Sequence, residues 1–352
     1  MLRAKFGKVM AEISRQKYRD FWHRPRIRRV LGLTPERKAS LGIRRTVRLV
    51  GNFPGLWQRT IQQTPGGSCQ WGGTLFVAEG PADHYLVLNS LHAAGSGARV
   101  FTESLPAPER VWALHMEPEE YVFRLGYDKG DEHTLVSRFY TNSRTLLQRG
   151  GIYRPSPPYV HFHVGRSWDF LSTATVPRKH IPLGMITSDL RSLEGHRERL
   201  EFLRRLDESG LDYVLWGRGD GLRRFRNYRG FAASKWQAHG ASRYSIVIEN
   251  SVSALYWTEK VADALLAWSL PLYHGCPQIA QYLPEACVVP IDIGEANVIE
   301  QIRDVMARNE YDARFAAITA ARRMLLQEQN FYAFINRELD AWQAISPPHP
   351  VA

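Results

Sequence analysis

The sequence predicts an α/β fold built from two mostly parallel sheets in succession. Short apolar runs bounded by turn-forming residues alternate with longer segments in which apolar residues repeat at helical spacing. The connections between successive runs in the first half are too long for hairpins, which is typical of parallel strands. A length of 352 residues also exceeds what one hydrophobic core usually holds, so two domains are expected.

Residues 1–45 are predicted to form a basic arm and linker outside both sheets. Leu2, Phe6, Val9 and Ile13 recur near helical spacing among lysines and arginines, which indicates a basic amphipathic helix. Residues 1–48 hold 15 basic and 3 acidic residues, which leaves 31 basic and 32 acidic residues in the rest of the chain. The net charge of +11 therefore belongs to the arm.

Three interpretations of the arm are open. It is a solvated charged segment, an attachment to an anionic membrane surface, or a nucleic-acid contact. We favour the membrane because one face of the predicted helix is basic and the other apolar. A nucleic-acid partner is not expected, since the near-neutral remainder of the chain offers no basic face to extend the contact.

Cysteine content and hydropathy bear on the cellular location. Cys69, Cys276 and Cys287 are odd in number and have no metal-ligand spacing, which argues against a disulfide framework or a structural zinc site. No run reaches the roughly 18 consecutive apolar residues of a membrane-spanning helix. The N-terminus also lacks the apolar core of a signal peptide. A cytoplasmic protein, peripheral at the inner membrane, is expected.

The first sheet is predicted within residues 46–176 and the second within residues 177–330. Both are expected to be Rossmann-like domains that face one cleft, joined by a Pro-rich connection at 153–179, with a final helix and tail at 331–352. Strands are predicted at 46–50, 74–77, 85–88 and 110–114, and then at 181–187, 213–216, 244–248, 272–273 and 288–291. Helices are predicted at 193–207, 258–268, and in the segments around Val298 to Val305 and Phe331 to Trp342.

The stretch after the predicted strand at 244–248 carries the most chemistry. Glu249 and Asn250 stand at the strand's carboxyl end, where ligands collect in open parallel sheets. Thr258 is predicted to cap a helix whose N-terminus attracts phosphate, and Lys260 adds a full positive charge there. Glu259 would oppose an anion, so hydroxyl groups of a ribose or sugar suit it better. In isolation, the same residues would favour a simple helix cap and a solvated lysine.

The ordered series ENS (249–251), YWTEK (256–260) and LPLYHGCPQIAQYLPE (270–285) resembles the donor-binding domain of glycosyltransferase family 10, the α-1,3/4-fucosyltransferases. The resemblance is close over residues 243–292 and looser from Val77 to the tail. It implies the GT-B architecture and GDP-fucose as the donor substrate, with no further cofactor and no metal. It also implies donor contacts from Glu249, Asn250, Tyr256, Glu259 and Lys260.

A diphosphate contact is expected from Arg199 or Arg197. The strand that ends at Ser188 and the following Gly195, His196 and Arg197 look like the family's strand and helix, whose early arginine contacts the donor diphosphate. Arginines in a first helical turn oppose the helix dipole, and a bound anion would resolve that conflict. Arg199 is favoured because it precedes Leu206 by seven residues, as in the family. A solvated Arg/Glu pattern is the alternative.

The candidate catalytic base is Glu117, in the segment His115-Met116-Glu117-Pro118 after the strand at 110–114. A carboxylate at a strand's carboxyl end can point into the cleft, and Glu117 resembles the family's catalytic Glu. It would take the proton from an acceptor hydroxyl as the oxygen attacks the anomeric carbon, with inversion. Glu119 and Glu120 lie close by, and an exposed acidic loop is the alternative interpretation.

The sequence as a whole predicts an inverting glycosyltransferase that moves L-fucose from GDP-fucose to a hydroxyl of a bacterial surface glycan. The acceptor is expected to be an oligosaccharide or lipid-linked glycan, such as a lipopolysaccharide or capsule precursor. A transferase of the same fold that uses another nucleotide sugar is the nearer alternative. A non-catalytic protein associated with membrane or nucleic acid is the more distant one.

Overall fold

The computed structural model describes residues 34–51, 55–89, 106–125, 132–157, 162 and 164–345. Most of the predicted arm, residues 1–33, lies outside this range, as does the tail at 346–352. The predictions made for those segments therefore stay predictions.

Two sheets follow one another along the chain, which confirms the predicted α/β fold. The first has the strand order β2-β3-β1-β4-β5-β6-β7, and every pair except β2–β3 is parallel. Its strands are β1 (Arg45–Val50), β2 (Gln70–Trp71), β3 (Thr74–Val77), β4 (His84–Leu88), β5 (Val111–Leu114), β6 (Arg138–Thr141) and β7 (Tyr153–Pro155). The second has the order β12-β11-β10-β8-β9 and is parallel throughout. Its strands are β8 (Ile181–Ser188), β9 (Val214–Arg218), β10 (Ser242–Ile248), β11 (Leu270–His274) and β12 (Val289–Pro290).

Helices cover the faces of both sheets. In the first half of the chain they are α1 (Pro35–Ser40), α2 (Leu56–Gln62), α3 (Glu120–Leu125), α4 (Arg144–Gln148) and α5 (Trp168–Thr173). In the second half they are α6 (Glu194–Glu208), α7 (Lys235–Ala241), α8 (Glu259–Leu266), α9 (Val298–Ala307), α10 (Glu310–Ala313), α11 (Phe315–Gln327) and α12 (Phe331–Ile345). No helix within the described ranges is long and apolar enough to cross a bilayer.

Two helices of the second half confirm their sequence patterns in detail. Leu200, Leu203 and Leu206 of α6 are fully buried, as the helical spacing predicts. Thr258 caps α8, because its hydroxyl accepts a hydrogen bond from the backbone N–H of Lys260 at 3.3 Å. Val261 on the same helix is fully buried.

Parts of the first sheet differ from the sequence prediction. β2, which was not predicted, forms a tight antiparallel hairpin with β3, whereas the four predicted strands pair in parallel as expected. β7 lies in the stretch predicted to be the interdomain connection, and it pairs with β6. Its residues Arg154 and Pro155 are exposed at the sheet edge, so this strand has no apolar run to reveal it.

The last helix, α12, returns to the first sheet. The ring of Tyr332 packs edge-on against Phe76 with centroids 5.0 Å apart, and Trp342 contacts Trp112 at 6.0 Å. The buried guanidinium of Arg45, the first residue of β1, lies 2.6 Å from the carboxylate of Asp340. The C-terminal helix is therefore part of the packing around the first sheet.

Candidate active site

Glu117 follows β5 in the first sheet and faces charged groups of the second. It is half-buried, and its backbone carbonyl accepts a hydrogen bond from Asn142 Nδ2 at 3.0 Å, which fixes the loop. Burial raises the pKa of the Glu117 carboxyl above its ordinary value, while the charge of Lys260 opposes this shift and that of Glu259 reinforces it. Residues from the carboxyl ends of two different sheets therefore share one site.

The neighbouring Glu119 has a structural task. Its carboxylate accepts hydrogen bonds from Ser143 Oγ at 3.0 Å and from Thr145 N and Oγ1 at 2.8 and 2.7 Å. Burial tends to raise the pKa of Glu119, but these hydrogen bonds outweigh it and hold the pKa below the ordinary value. Glu119 thus holds the start of α4, with its charge near the helix N-terminus.

Glu120 faces the second sheet from the start of α3. Burial raises its pKa, and a hydrogen bond with the side chain of Ser251 partly opposes the shift. Ser251 belongs to the ENS segment that follows β10. Of the three glutamates in this loop, Glu119 is structural, Glu120 contacts Ser251, and Glu117 lies near the charges of Lys260 and Glu259.

Glu249 joins the end of β10 to the start of α8. Its buried carboxylate accepts hydrogen bonds from Thr258 N at 2.9 Å and Thr258 Oγ1 at 2.7 Å, and it lies 3.3 Å from Lys260 Nζ. Gly275 packs directly against it, since a Cβ at that position would lie 2.6 Å from Glu249 Cγ. The carboxylate therefore positions the first turn of α8 and its lysine.

Arg199 is a buried cation with weak partners. It is 4% exposed, and its Nη1 and Nη2 donate to Asn250 Oδ1 at 3.3 Å and Ser188 Oγ at 3.4 Å. Its Nε is buried and has no hydrogen-bond partner among the described residues. Burial lowers the pKa of Arg199 to about 10, against the opposing charge of Glu249, so the guanidinium is still charged at neutral pH. Such a group is suited to an entering anion.

Arg197 lies on a different face of α6. Its side chain is exposed, and its Nη1 donates to the backbone carbonyl of Arg191 at 3.3 Å. Residues two positions apart on a helix do not face each other, so the two arginines diverge. The structure brings Arg199, and not Arg197, beside Asn250 and Ser188.

Tyr256 lies among the acidic groups of the site. It is 2% exposed, and burial, reinforced by Glu249, Glu117 and Glu259, raises the pKa of its phenol well above the ordinary value. The phenol is therefore neutral and keeps its proton for donation at physiological pH. Glu259 is more open, with 17% of its side chain exposed.

Three charged residues near Glu259 were not predicted from the sequence. Lys235 of α7 lies 2.8 Å from Asp263 and 3.4 Å from Glu259. Arg59 of α2, in the first half of the chain, is half-buried; burial lowers its pKa, and the charges of Glu259 and Asp263 oppose that shift. Asp263 was recognisable, because it lies four residues after Glu259 on a predicted helix. The sequence around Lys235 and around Arg59 does not indicate that either residue lies near Glu259.

Comparisons with known proteins give matches at the level of the fold. A solved α-glucosyltransferase in complex with UDP and a 13-mer DNA containing a central A:G mismatch matches with a TM-score of 0.54 at 10% identity, over 84% of this chain and 98% of that chain. A glycosyltransferase from Rickettsia africae ESF-5 matches with a TM-score of 0.50 at 10% identity, over 86% and 99% of the two chains. This chain has the GT-B fold.

At the level of sequence, no family model and no curated protein matches. An α1,3-fucosyltransferase structure overlaps 82% of this chain and 91% of its own at 13% identity, with a TM-score of 0.46. That overlap is too loose to carry an argument. Membership of family 10 therefore stays a prediction.

Within the GT-B fold, the predicted site residues fall into two groups. Those brought together between the carboxyl ends of β5, β8 and β10 are Glu117, Arg199, Glu249, Asn250, Tyr256, Glu259 and Lys260. Arg197 lies apart from them on the exposed face of α6. The described residues contain no group of three or more His, Cys, Asp or Glu side chains arranged to hold a metal ion.

Proposed function

We propose that this chain is an inverting glycosyltransferase that transfers L-fucose from GDP-fucose to a hydroxyl of a bacterial surface glycan. The observation that carries the proposal is the position of Glu117, a carboxylate of raised pKa, near the cation Lys260. A second cation, Arg199, lies beside Asn250, which follows the Glu249 carboxylate that pairs with Lys260. A displacement that moves negative charge from an acceptor oxygen to a leaving diphosphate needs a base on one side and positive charge on the other.

In the proposed reaction Glu117 accepts the proton of the acceptor hydroxyl while that oxygen forms a bond to the anomeric carbon. The bond from this carbon to the diphosphate oxygen breaks, and the leaving GDP takes the electron pair. Lys260, Arg199 and the N-terminus of α8 stabilise the charge on the diphosphate. Asn250 and Tyr256 line the same pocket, and Glu259 accepts hydrogen bonds from donor hydroxyl groups.

The proposed reaction relies on side-chain charge and uses neither a metal ion nor a further cofactor. Turnover should therefore be the same before and after treatment with EDTA. If EDTA abolished turnover and added Mg²⁺ or Mn²⁺ restored it, this part of the proposal would be contradicted.

The choice of fucose is supported by the ENS, YWTEK and PxxxG series, and it is tested by a panel of nucleotide sugars. Hydrolysis and saturation-transfer NMR with GDP-fucose, GDP-mannose, UDP-glucose and UDP-galactose would rank the donors. We expect GDP-fucose to rank first and the product to have inverted anomeric configuration.

A second candidate is a transferase of the same fold that uses a UDP-sugar. It is favoured by the α-glucosyltransferase with UDP, whose fold matches at a TM-score of 0.54. Turnover of UDP-glucose without turnover of GDP-fucose would replace the first candidate by this one. Binding of none of the four donors would favour the non-catalytic alternative.

The location is a separate part of the proposal. We propose that the N-terminal arm attaches the enzyme to the anionic inner surface of the cytoplasmic membrane, where lipid-linked lipopolysaccharide or capsule precursors are glycosylated. Arg45 belongs to β1 and is buried, and α1 with its cap Thr34 precedes it, so the truncation that tests this should end at residue 33. The truncated chain should lose binding to phosphatidylserine vesicles and retain turnover of a soluble acceptor. Equal vesicle binding, or binding to duplex DNA instead, would contradict the membrane role.

A further inference from the structure

Lys235 links two carboxylates of α8. Its Nζ lies 2.8 Å from Asp263 Oδ2 and 3.4 Å from Glu259 Oε1. Glu259 and Asp263 are four residues apart, so both project from one face of α8. Lys235 comes from another helix, α7, which lies outside the ENS to YWTEK stretch.

Asp263 anchors the ammonium of Lys235. The Asp263 side chain is 0% exposed, and a carboxylate so buried needs a compensating charge. The start of α7 is also fixed, because Ser234 caps it through Gln237 N and the backbone N–H of Trp236 donates to Val164 O at 2.9 Å. While Asp263 and the helix start hold Lys235 in place, a second N–H of its ammonium donates to Glu259 Oε1 at 3.4 Å.

Glu259 lies between the ammonium groups of Lys235 and Lys260. Its Oε1 is 3.4 Å from Lys235 and 3.8 Å from Lys260. Lys260 is drawn toward the other side by Glu249, whose Oε2 lies 3.3 Å from Nζ. Lys235 is therefore the closer of the two cations at Glu259, and Lys260 lies closer to Glu249.

We propose that Lys235, anchored by Asp263, is a positioning residue that orients the Glu259 carboxylate to accept hydrogen bonds from hydroxyl groups of the donor. This inference rests on the proposed function, because it assumes that a nucleotide sugar enters the site. The hydroxyl groups belong either to the sugar or to the ribose. Contacts to the diphosphate, through Arg199 and Lys260, are independent of Lys235.

The test uses the full chain and three probes: GDP-fucose, GDP and 2′,3′-dideoxy-GDP. Lys235→Met alone would leave Asp263 buried without a counter-charge, so the informative variant is the double substitution Lys235→Met/Asp263→Asn. If Glu259 contacts the sugar, this variant should bind GDP-fucose about tenfold more weakly and GDP as the wild type does. If it contacts the ribose, affinity for GDP should fall and affinity for 2′,3′-dideoxy-GDP, which lacks both ribose hydroxyl groups, should not.

Two further variants separate positioning from general stability. Lys235→Arg keeps a cation within reach of both carboxylates and should restore most of the affinity and the wild-type KM. Lys179→Met is the matched control, since the side chain of Lys179 is half-buried like that of Lys235 but donates to the main-chain oxygens of His239 and Ala267. It should change the free energy of unfolding without changing the ratio of GDP-fucose to GDP affinity.

The outcomes distinguish the two proposals. If the wild-type protein binds neither these probes nor UDP-glucose, UDP and 2′,3′-dideoxy-UDP, the proposed function itself is overturned. If the wild type binds one set of probes and the double variant binds the same probes with equal affinity, only the role of Lys235 is overturned. An equal loss for all three probes would also overturn it, because that result indicates a general effect on the fold or the diphosphate site.

Discussion

Oε2 of Glu249 lies 3.3 Å from Nζ of Lys260, so the end of a strand and the first turn of the following helix are joined by an ion pair. The same carboxylate accepts two hydrogen bonds from Thr258, the residue that caps the helix. Because the Glu249 side chain is 0% exposed, we expect it to act through Thr258 and Lys260. The helix N-terminus proposed to bind the diphosphate is thus positioned by a residue nine positions earlier in the chain.

Replacing Glu117 by Gln should lower kcat by at least about a hundredfold and leave GDP affinity unchanged, because the amide cannot accept the proton. The pKa of Glu117 is raised above its ordinary value, so the carboxylate becomes available only as pH rises through that higher pKa. In the wild type, kcat/KM should therefore fall toward acid pH with an apparent pKa above 4.5, and this limb should be absent from the residual activity of E117Q.

Glu120→Gln is the matched control for Glu117, since Glu120 is the exposed carboxylate of the same loop. Its turnover should stay within about threefold of the wild type, because an amide retains hydrogen bonding to Ser251. A collapse of activity in E120Q with normal turnover in E117Q would assign the base to Glu120.

Arg199→Met should weaken GDP binding by about 10- to 100-fold, as expected when a charged hydrogen-bond donor to a phosphate is lost. Methionine fills similar space, and among the described residues the substitution gives up weak hydrogen bonds to Asn250 and Ser188 and the attraction of the Glu249 charge. The free energy of unfolding of the unliganded protein should therefore change little. Isothermal titration with GDP and urea unfolding measure the two effects separately.

Arg197→Met provides the comparison for Arg199. Its guanidinium is exposed and contacts a backbone carbonyl, so GDP affinity should stay within about twofold. If Arg197→Met bound GDP more weakly than Arg199→Met, the diphosphate site would be assigned to the exposed face of α6.

The amount of structure that could be predicted depended on how local its determinants were. β4 and β5 are runs of buried apolar residues and were predictable, whereas β7 ends in the exposed residues Arg154 and Pro155 and was not. The same distinction holds in the site. Glu249 and Lys260 lie close in sequence, so their meeting follows from one strand and one helix.

The charges around Glu259 were less accessible to prediction. Lys235 and Arg59 reach it from separate elements, α7 and α2. Their approach depends on how helices pack on two sheets, and no spacing in a single sequence encodes that packing. Likewise, three glutamates within four residues could be told apart only once Ser143 and Thr145 were seen to bind Glu119.

Gly275→Ala should lower GDP affinity through Glu249. A Cβ at this position would lie 2.6 Å from Glu249 Cγ and 2.5 Å from Tyr273 Oη, closer than such contacts occur. The tyrosine hydroxyl is held by the backbone N–H of Cys276 at 3.0 Å, so the carboxylate must shift away from Thr258. We expect about tenfold weaker GDP binding and about 1–3 kcal/mol lower free energy of unfolding.

Gly240→Ala is the corresponding control, because a Cβ there meets Pro177 at an ordinary 3.4 Å. It lies in α7, where alanine favours the helix, and GDP affinity should be unchanged. Normal GDP binding by G275A would show that the position of Glu249 does not determine GDP affinity.

Arg45→Met should lower the free energy of unfolding by about 3 kcal/mol, because it removes the buried cation that ties α12 to the first sheet. The Arg45 guanidinium is 1% exposed, lies 2.6 Å from Asp340, and also donates to Gln343 and Thr74 at 2.8 Å. Arg44 contacts the same Asp340 oxygen at 2.8 Å, but it is 58% exposed, so Arg44→Met should cost less than about 1 kcal/mol. Urea unfolding of both variants measures the difference. Equal losses would mean that the Asp340 contact, and not the buried network of Arg45, holds the C-terminal helix in place.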